Sequence, residues 1–151
     1  MARQILFRGR RVENGEWIYG TGFTNFLNML PNKQGCWLWC DYNYHDGPGK
    51  GWLEISPDSL GQFTGLQIQG KNVFEGDIVR LCPRPGVEQH FVIYWSVVYM
   101  AFCVHNLEYA DTSDGNDLWS VIDLAHNSAE ATIELIGNRF DNPTLMKKNN
   151  G

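Results

Sequence analysis

The chain has 151 residues and 17.3 kDa, with 12 Lys+Arg against 17 Asp+Glu and a formal net charge of −5. A length of this order predicts a single domain over residues 1–151 and buries roughly 70% of the surface that the unfolded chain exposes, so a core forms without metal or disulfide staples. At 43% hydrophobic and 19% charged residues, the composition excludes intrinsic disorder for most of the length. The acidic balance argues against nonspecific nucleic-acid binding, and no apolar run reaches the ~20 residues of a spanning helix.

Gln4–Phe7 and Trp17–Tyr19 have strand composition, and Asn14-Gly15 between them is the dipeptide that most readily takes positive φ at both turn positions. The first twenty residues therefore predict a hairpin. Arg8 and Arg10, two apart on one strand, share a face; with Arg3 and Arg11 they concentrate cations at the start of an acidic chain. An anion site and a charge-protected edge strand explain that concentration equally well. MARQILFRGRR flanks a very short apolar stretch with charge, unlike a signal peptide, so a cytoplasmic protein is expected.

Thr21–Leu30 carries no clear pattern. Pro31–Gly35 predicts a turn before an aromatic strand over Cys36–Tyr44, and the Gly- and Pro-rich His45–Gly51 predicts a loop. Cys36, Cys40 and His45 have no second pair of ligands at zinc spacing, and the two cysteines fall on one side of a strand, so all four cysteines of the chain are expected as free thiols and no metal or cofactor is expected. Trp52–Ile55 is a short strand. Ser56-Pro57 then has the cap-plus-proline start of a helical turn ending at Gly61.

Gln67–Phe74 predicts a second hairpin around Gly70. Glu75-Gly76-Asp77 is a tight acidic turn opening a strand over Ile78–Leu81; acidic residues in turns ordinarily accept backbone N–H bonds, which outweighs an acid/base pair here. Pro83 and Pro85 flank a connection. Phe91–His105 is the longest apolar run, too long for one strand, so a turn near Ser96–Met100 splits it. Ala110–Asp117 is a surface loop, Leu118–Leu124 and Thr132–Ile136 are late strands, Asn142-Pro143 starts a short terminal helix, and 147–151 is a disordered tail. The fold class is mainly β (α+β): a strongly curved antiparallel sheet or small barrel with one or two short helices.

Catalysis needs a convergent set of acid, base, nucleophile or metal. His45, His90, His105 and His126 stand far apart, and GQFTG lacks the spacing of a phosphate-cradling loop, so no enzyme is expected. Asn138 and Arg139 fall at a strand end where side chains leave the core. Arg139 offers a planar five-donor fork to a phosphate, or equally an ion pair to Asp141 or Glu134. Trp17, Tyr19, Trp95 and Phe102 are the rings to test for base stacking.

Four segments in this order, ILFRGRRVENGEWIYG, SPDSLGQFTGLQIQGKNVFEGDIVRL, VIYW and IELIGNRFDNP, make the chain resemble the YopX family of phage and prophage proteins. The stretch Thr21–Gly51 and the loop Ala110–Asp117 depart from it. Size and architecture also resemble the phage anti-Thoeris sponge proteins, small β-rich oligomers that sequester cyclic ADP-ribose signals of bacterial TIR-domain enzymes and, in some members, cyclic oligonucleotides. That second likeness implies that Trp17 and Phe102 sandwich adenine, Arg139 holds a phosphate and Asn116 or Asn138 reads polar edges, with Arg8 as a further contact. It implies an anti-defence protein in the host cytoplasm, working as a dimer-based homo-oligomer up to a hexamer, with the ligand released intact. The alternatives are a phage interaction module that occupies a host protein and, behind it, a phosphodiesterase.

Overall fold

The computed structural model describes residues 4–24, 35–44, 47–108 and 131–146. Asn116, His45, His126, Arg3, the expected turn at Pro31–Gly35 apart from Gly35, the loop Ala110–Asp117, the strand Leu118–Leu124 and the tail 147–151 lie outside the described residues. The chain divides into two compact units, Met1–Phe63 and Thr64–Gly151. Every strand pairing among the described residues is antiparallel. The described helices are the short 3-10 turns Pro57–Ser59 and Pro143–Met146, each with proline at its start as the cap pattern predicts.

In the first unit β1 (Phe7–Arg10) pairs with β2 (Trp17–Gly20) in the register Arg8↔Tyr19 and Arg10↔Trp17. The hairpin is there, with its first strand starting at Phe7 rather than Gln4 and its second at Trp17 as expected. Its connection is also not the expected two-residue turn: Gly15 alone takes positive φ, at 72°, while the Asn14 side chain accepts from the Glu16 N–H at 3.1 Å. The amide of Asn14 thus does by hydrogen bonding what its backbone was expected to do.

A second sheet stacks β3 (Gly22–Thr24), β4 (Cys36–Tyr44) and β5 (Gly47–Ile55) in that order. β4 has the predicted bounds. β5 corrects the loop expected at His45–Gly51: Gly47 to Gly51 pair residue by residue with Tyr44 to Cys40. Turn-type residues form strand here because β4 supplies a ladder, and because Pro48, which cannot donate, sits on a strand at the end of the sheet order. Cys36, Leu38 and Ile55 form the core of this unit, with Phe7, Ile18 and Leu60 against them.

In the second unit, the latter part of β6 (Gly61–Ile68) and β7 (Lys71–Phe74) make the predicted hairpin, turning through Gln69 and Gly70 at φ 51° and 77°. β8 (Asp77–Arg84), β9 (Val87–Ser96), β10 (Ala101–Asn106) and β11 (Thr132–Asn138) form a sheet in the order β10-β9-β8-β11. β8 runs past the expected connection at Pro83. A register shift between Leu81 and Arg84 absorbs the donor that proline lacks. The apolar run splits where predicted, and its turn separates β9 from β10. Ile68, Val73, Val79, Leu81, Phe91, Ile93, Val104 and Ile133 pack as this unit's core.

Candidate functional site

The sequence-predicted residues fall into two local groups. In the first unit, Arg8 and Arg10 project to the same face of β1, and both guanidinium groups lie over the indole of Trp17, at 4.7 and 5.8 Å from its centroid. The register Arg10↔Trp17 brings them there. Arg8 is buried, at 7% exposure, and Arg10 and Trp17 are half-buried. Arg10 Nε donates to the Gly15 carbonyl at 3.1 Å, so the turn geometry fixes the fork. A cation over an indole face is attracted by the ring quadrupole. Two planar forks against one ring concentrate positive charge and bidentate donors at one end of the hairpin.

The second group lies in the other unit. Phe102, opposite Trp95 in the β9–β10 ladder, meets its ring edge-on at 5.0 Å while its own ring packs on the core. Phe102 is thus a half-buried core residue with one neighbour, Trp95, at 41% exposure. Asn138 is buried at 9% exposure, and its side chain serves the turn that follows β11: Oδ1 accepts from the N–H groups of Phe140 (3.0 Å) and Asp141 (2.9 Å), and Nδ2 donates to Asp141 at 2.9 Å. Arg139 is exposed. Its N–H donates to Gly76 at 2.9 Å, its side chain lies against Gly76, and its guanidinium is 4.9 Å from the Phe140 centroid. Glu134, one expected ion-pair partner of Arg139, pairs instead with Arg80.

The acidic turn behaves as predicted. Asp77, at 2% exposure, accepts from the Phe74 N–H at 2.8 Å, and Gly76 takes φ 89°. Cys36 and Cys40 are buried, and burial pushes both thiols up because a thiolate is poorly solvated there. Among the described residues no three His, Cys, Asp or Glu side chains converge as a metal site, and His90 instead meets Glu108 at 3.2 Å. No described helix is long and apolar enough to cross a membrane.

Two features were not legible in the sequence. One is a groove of about 530 Å³ between Leu66–Gln69 and Ala131–Ile133, spanned by a hydrogen bond from Gln69 Nε2 to the Ile133 carbonyl at 3.4 Å. Among the described residues its lining carries no charged side chain, which gives a phosphate no cation there. The other is the tip of the β9–β10 hairpin, where Val97, Val98, Tyr99 and Met100 are 77%, 78%, 48% and 71% exposed. The turn near Ser96–Met100 was expected from the length of the apolar run, but the exposure of its apolar side chains was not.

With this geometry in place, the comparisons assign the lineage. The model of the YopX protein family matches residues 6–147. The chain belongs to the YopX family. Its fold is similar to that in the crystal structure of protein EF1440 from Enterococcus faecalis, with 18% identity, 97% of this chain and 100% of that one covered, and a TM-score of 0.50. No curated protein matches. The family match spans the cluster at Arg8, Arg10 and Trp17 as well as the turn at Asn138 and Arg139.

Proposed function

We propose that this YopX-family protein is a non-catalytic binding protein that sequesters a small cyclic nucleotide signal, of the glycocyclic ADP-ribose or cyclic oligonucleotide type, in the cytoplasm of a phage-infected host. The observation that carries the reading is the pair of guanidinium groups on the Trp17 indole: in a chain of net charge −5, it joins phosphate-binding forks to an aromatic ring in one hairpin. Arg10 is the fork nearer to solvent and so the phosphate contact. Arg8 lies beneath it and holds the indole. Arg139, exposed beside the Phe140 ring in the second unit, is a separate candidate for a phosphate contact. Sequestration asks only for tight binding and slow release, which cationic forks beside a ring can supply.

The test is to incubate the protein with cyclic ADP-ribose isomers and cyclic oligonucleotides, wash it, denature it and identify what is released by mass spectrometry. Intact nucleotide is the expected result. Arg10→Ala should weaken retention by about one to two decades, as expected for loss of a charge-assisted bond of roughly 1.5–3 kcal/mol, while the lost bond to the Gly15 carbonyl lowers Tm by only a few degrees. Arg139→Ala is the second arm. Release of an altered nucleotide would replace the sponge by a phosphodiesterase, and no retention of any nucleotide would remove the proposal. A second reading, a module that occupies a host protein, draws on the exposed rings of Tyr19, Phe23 and Trp52 in the first unit, because aromatic side chains are frequent interface anchors.

A further inference from the structure

We propose that the face of the β3-β4-β5 sheet that carries Trp39 and Trp52 binds a basic segment of another protein, through the head group of an arginine or lysine. This is independent of the nucleotide reading, and it gives Trp52 an occupant of stated chemistry.

The ladder sets the face. Cys36, Leu38 and Cys40 of β4 are buried, so the alternate residues Trp37, Trp39 and Asp41 point to the other side. Cross-strand partners share a face, and the registers Gly22↔Trp39 and Trp39↔Trp52 put a glycine and two indoles in one row across the three strands. The ring centroids are 5.2 Å apart with planes tilted by 59°, so the indoles do not stack face to face. Trp39 is half-buried and Trp52 is 44% exposed, which leaves aromatic surface in water at the middle of a sheet.

Gly22 is the second observation. It is not among the glycines with positive φ, and a Cβ built on it meets no atom of the described residues within 4 Å. Neither backbone conformation nor packing requires glycine there, unlike at Gly20, where a Cβ would overlap the Trp39 carbonyl. Glycine inside a strand weakens it, and one recognised use is the close approach of a ligand. Opposite Trp39, it leaves one side of that residue open.

Charge selects the occupant. The exposed Glu54 lies two residues along β5 from Trp52 on the same face. Asp41, with its side chain 87% exposed, lies two residues along β4 from Trp39, in a loose contact with Lys50 at 3.8 Å. Two residues of strand span about 7 Å, so a cation resting on the indoles has a carboxylate within reach in either direction. Arginine and lysine are attracted to the face of tryptophan more than to any other ring, whereas a phosphate would meet two carboxylates and a single cation. The net charge of −5 draws a basic partner in from longer range.

Titration with a capped tetra-arginine peptide tests this, read at the indole N–H resonances of Trp39 and Trp52 in the isotope-labelled chain, with a tetra-citrulline peptide as the uncharged control. Both resonances should move and saturate with the arginine peptide, and the citrulline peptide should bind about tenfold or more weakly. Gly22→Val fills the open side of Trp39 without altering charge. It should weaken arginine binding by about tenfold while Tm holds or rises, because valine favours a strand and its Cβ has room. Trp52→Leu should show a similar loss and Trp52→Phe a smaller one, since the cation needs a ring and not bulk alone. Equal binding of the citrulline peptide overturns the proposal in favour of a neutral ligand such as an oligosaccharide. Undiminished binding by Gly22→Val, or by Trp52→Leu, overturns it in favour of diffuse attraction to an acidic chain, and unmoved Trp39 and Trp52 resonances overturn it outright. Nucleotide retention is scored separately with Arg10→Ala, so either reading can fail alone.

Discussion

Asp77→Ala separates a structural carboxylate from a reacting one by the sign of its effect on stability. The Asp77 side chain is 2% exposed and accepts the Phe74 N–H at 2.8 Å across the turn at Glu75 and Gly76. Alanine removes the acceptor of a buried bond to a charged group, which costs about 1.5–3 kcal/mol. For a chain of this size each kcal/mol lowers Tm by about 2–4 °C, so Asp77→Ala should melt about 3–12 °C lower in a circular-dichroism scan. Asp77→Asn keeps an oxygen in place without its charge and should lose roughly half as much, because neutral bonds contribute about half of charged ones. An unchanged or higher Tm for Asp77→Ala would refute the reasoning. Stabilisation on removal is the behaviour of a carboxylate held for function against the fold, and it would reopen the acid/base reading of Glu75 and Asp77.

Gly20→Ala should destabilise the first unit, since a Cβ there would overlap the backbone carbonyl oxygen of Trp39, which also accepts the Thr21 N–H at 3.0 Å; urea unfolding that matches wild type would contradict that packing. Cys82, the half-exposed cysteine, should react with a thiol reagent well before the buried Cys36, Cys40 and Cys103, as read by mass spectrometry of labelled peptides; equal rates would refute the burial pattern. Burial raises the Cys36 and Cys40 thiols above their unfolded values, so the fold binds those protons more tightly than the unfolded chain does. Their contribution is complete below the unfolded thiol pKa of about 8.5 and is lost as pH rises through the folded values, so urea midpoints should fall on the alkaline side, and less so in a Cys36→Ala, Cys40→Ala double variant.

Local chemistry made much of this fold readable. Cys36–Tyr44 announced a strand by its ring-rich, small-residue alternation, Pro57 and Pro143 marked the two 3-10 turns, and Glu75-Gly76-Asp77 read as a turn because a short carboxylate can close on a nearby backbone N–H. The segments that failed were those in which a distant partner outvoted local preference. Gly47–Gly51 looks like loop on composition, yet the β4 ladder makes it strand. Val87–His90 has little strand character of its own and is strand because β8 lies beside it.

The same division runs through the candidate site. The amino-acid order by itself determined the YopX lineage, the antiparallel β class, and the fact that Arg8 and Arg10 share a face, since a period of two needs no knowledge of neighbours. Only the tertiary structure decided what that face meets. The pairing of β1 with β2 set Trp17 under both guanidinium groups. The turn after β11 took up the Asn138 amide, and the core claimed one side of Phe102 while Val97–Met100 stayed in water. Alternation tells which side chains travel together; burial depends on residues far away in the chain, and those are brought into place only by folding.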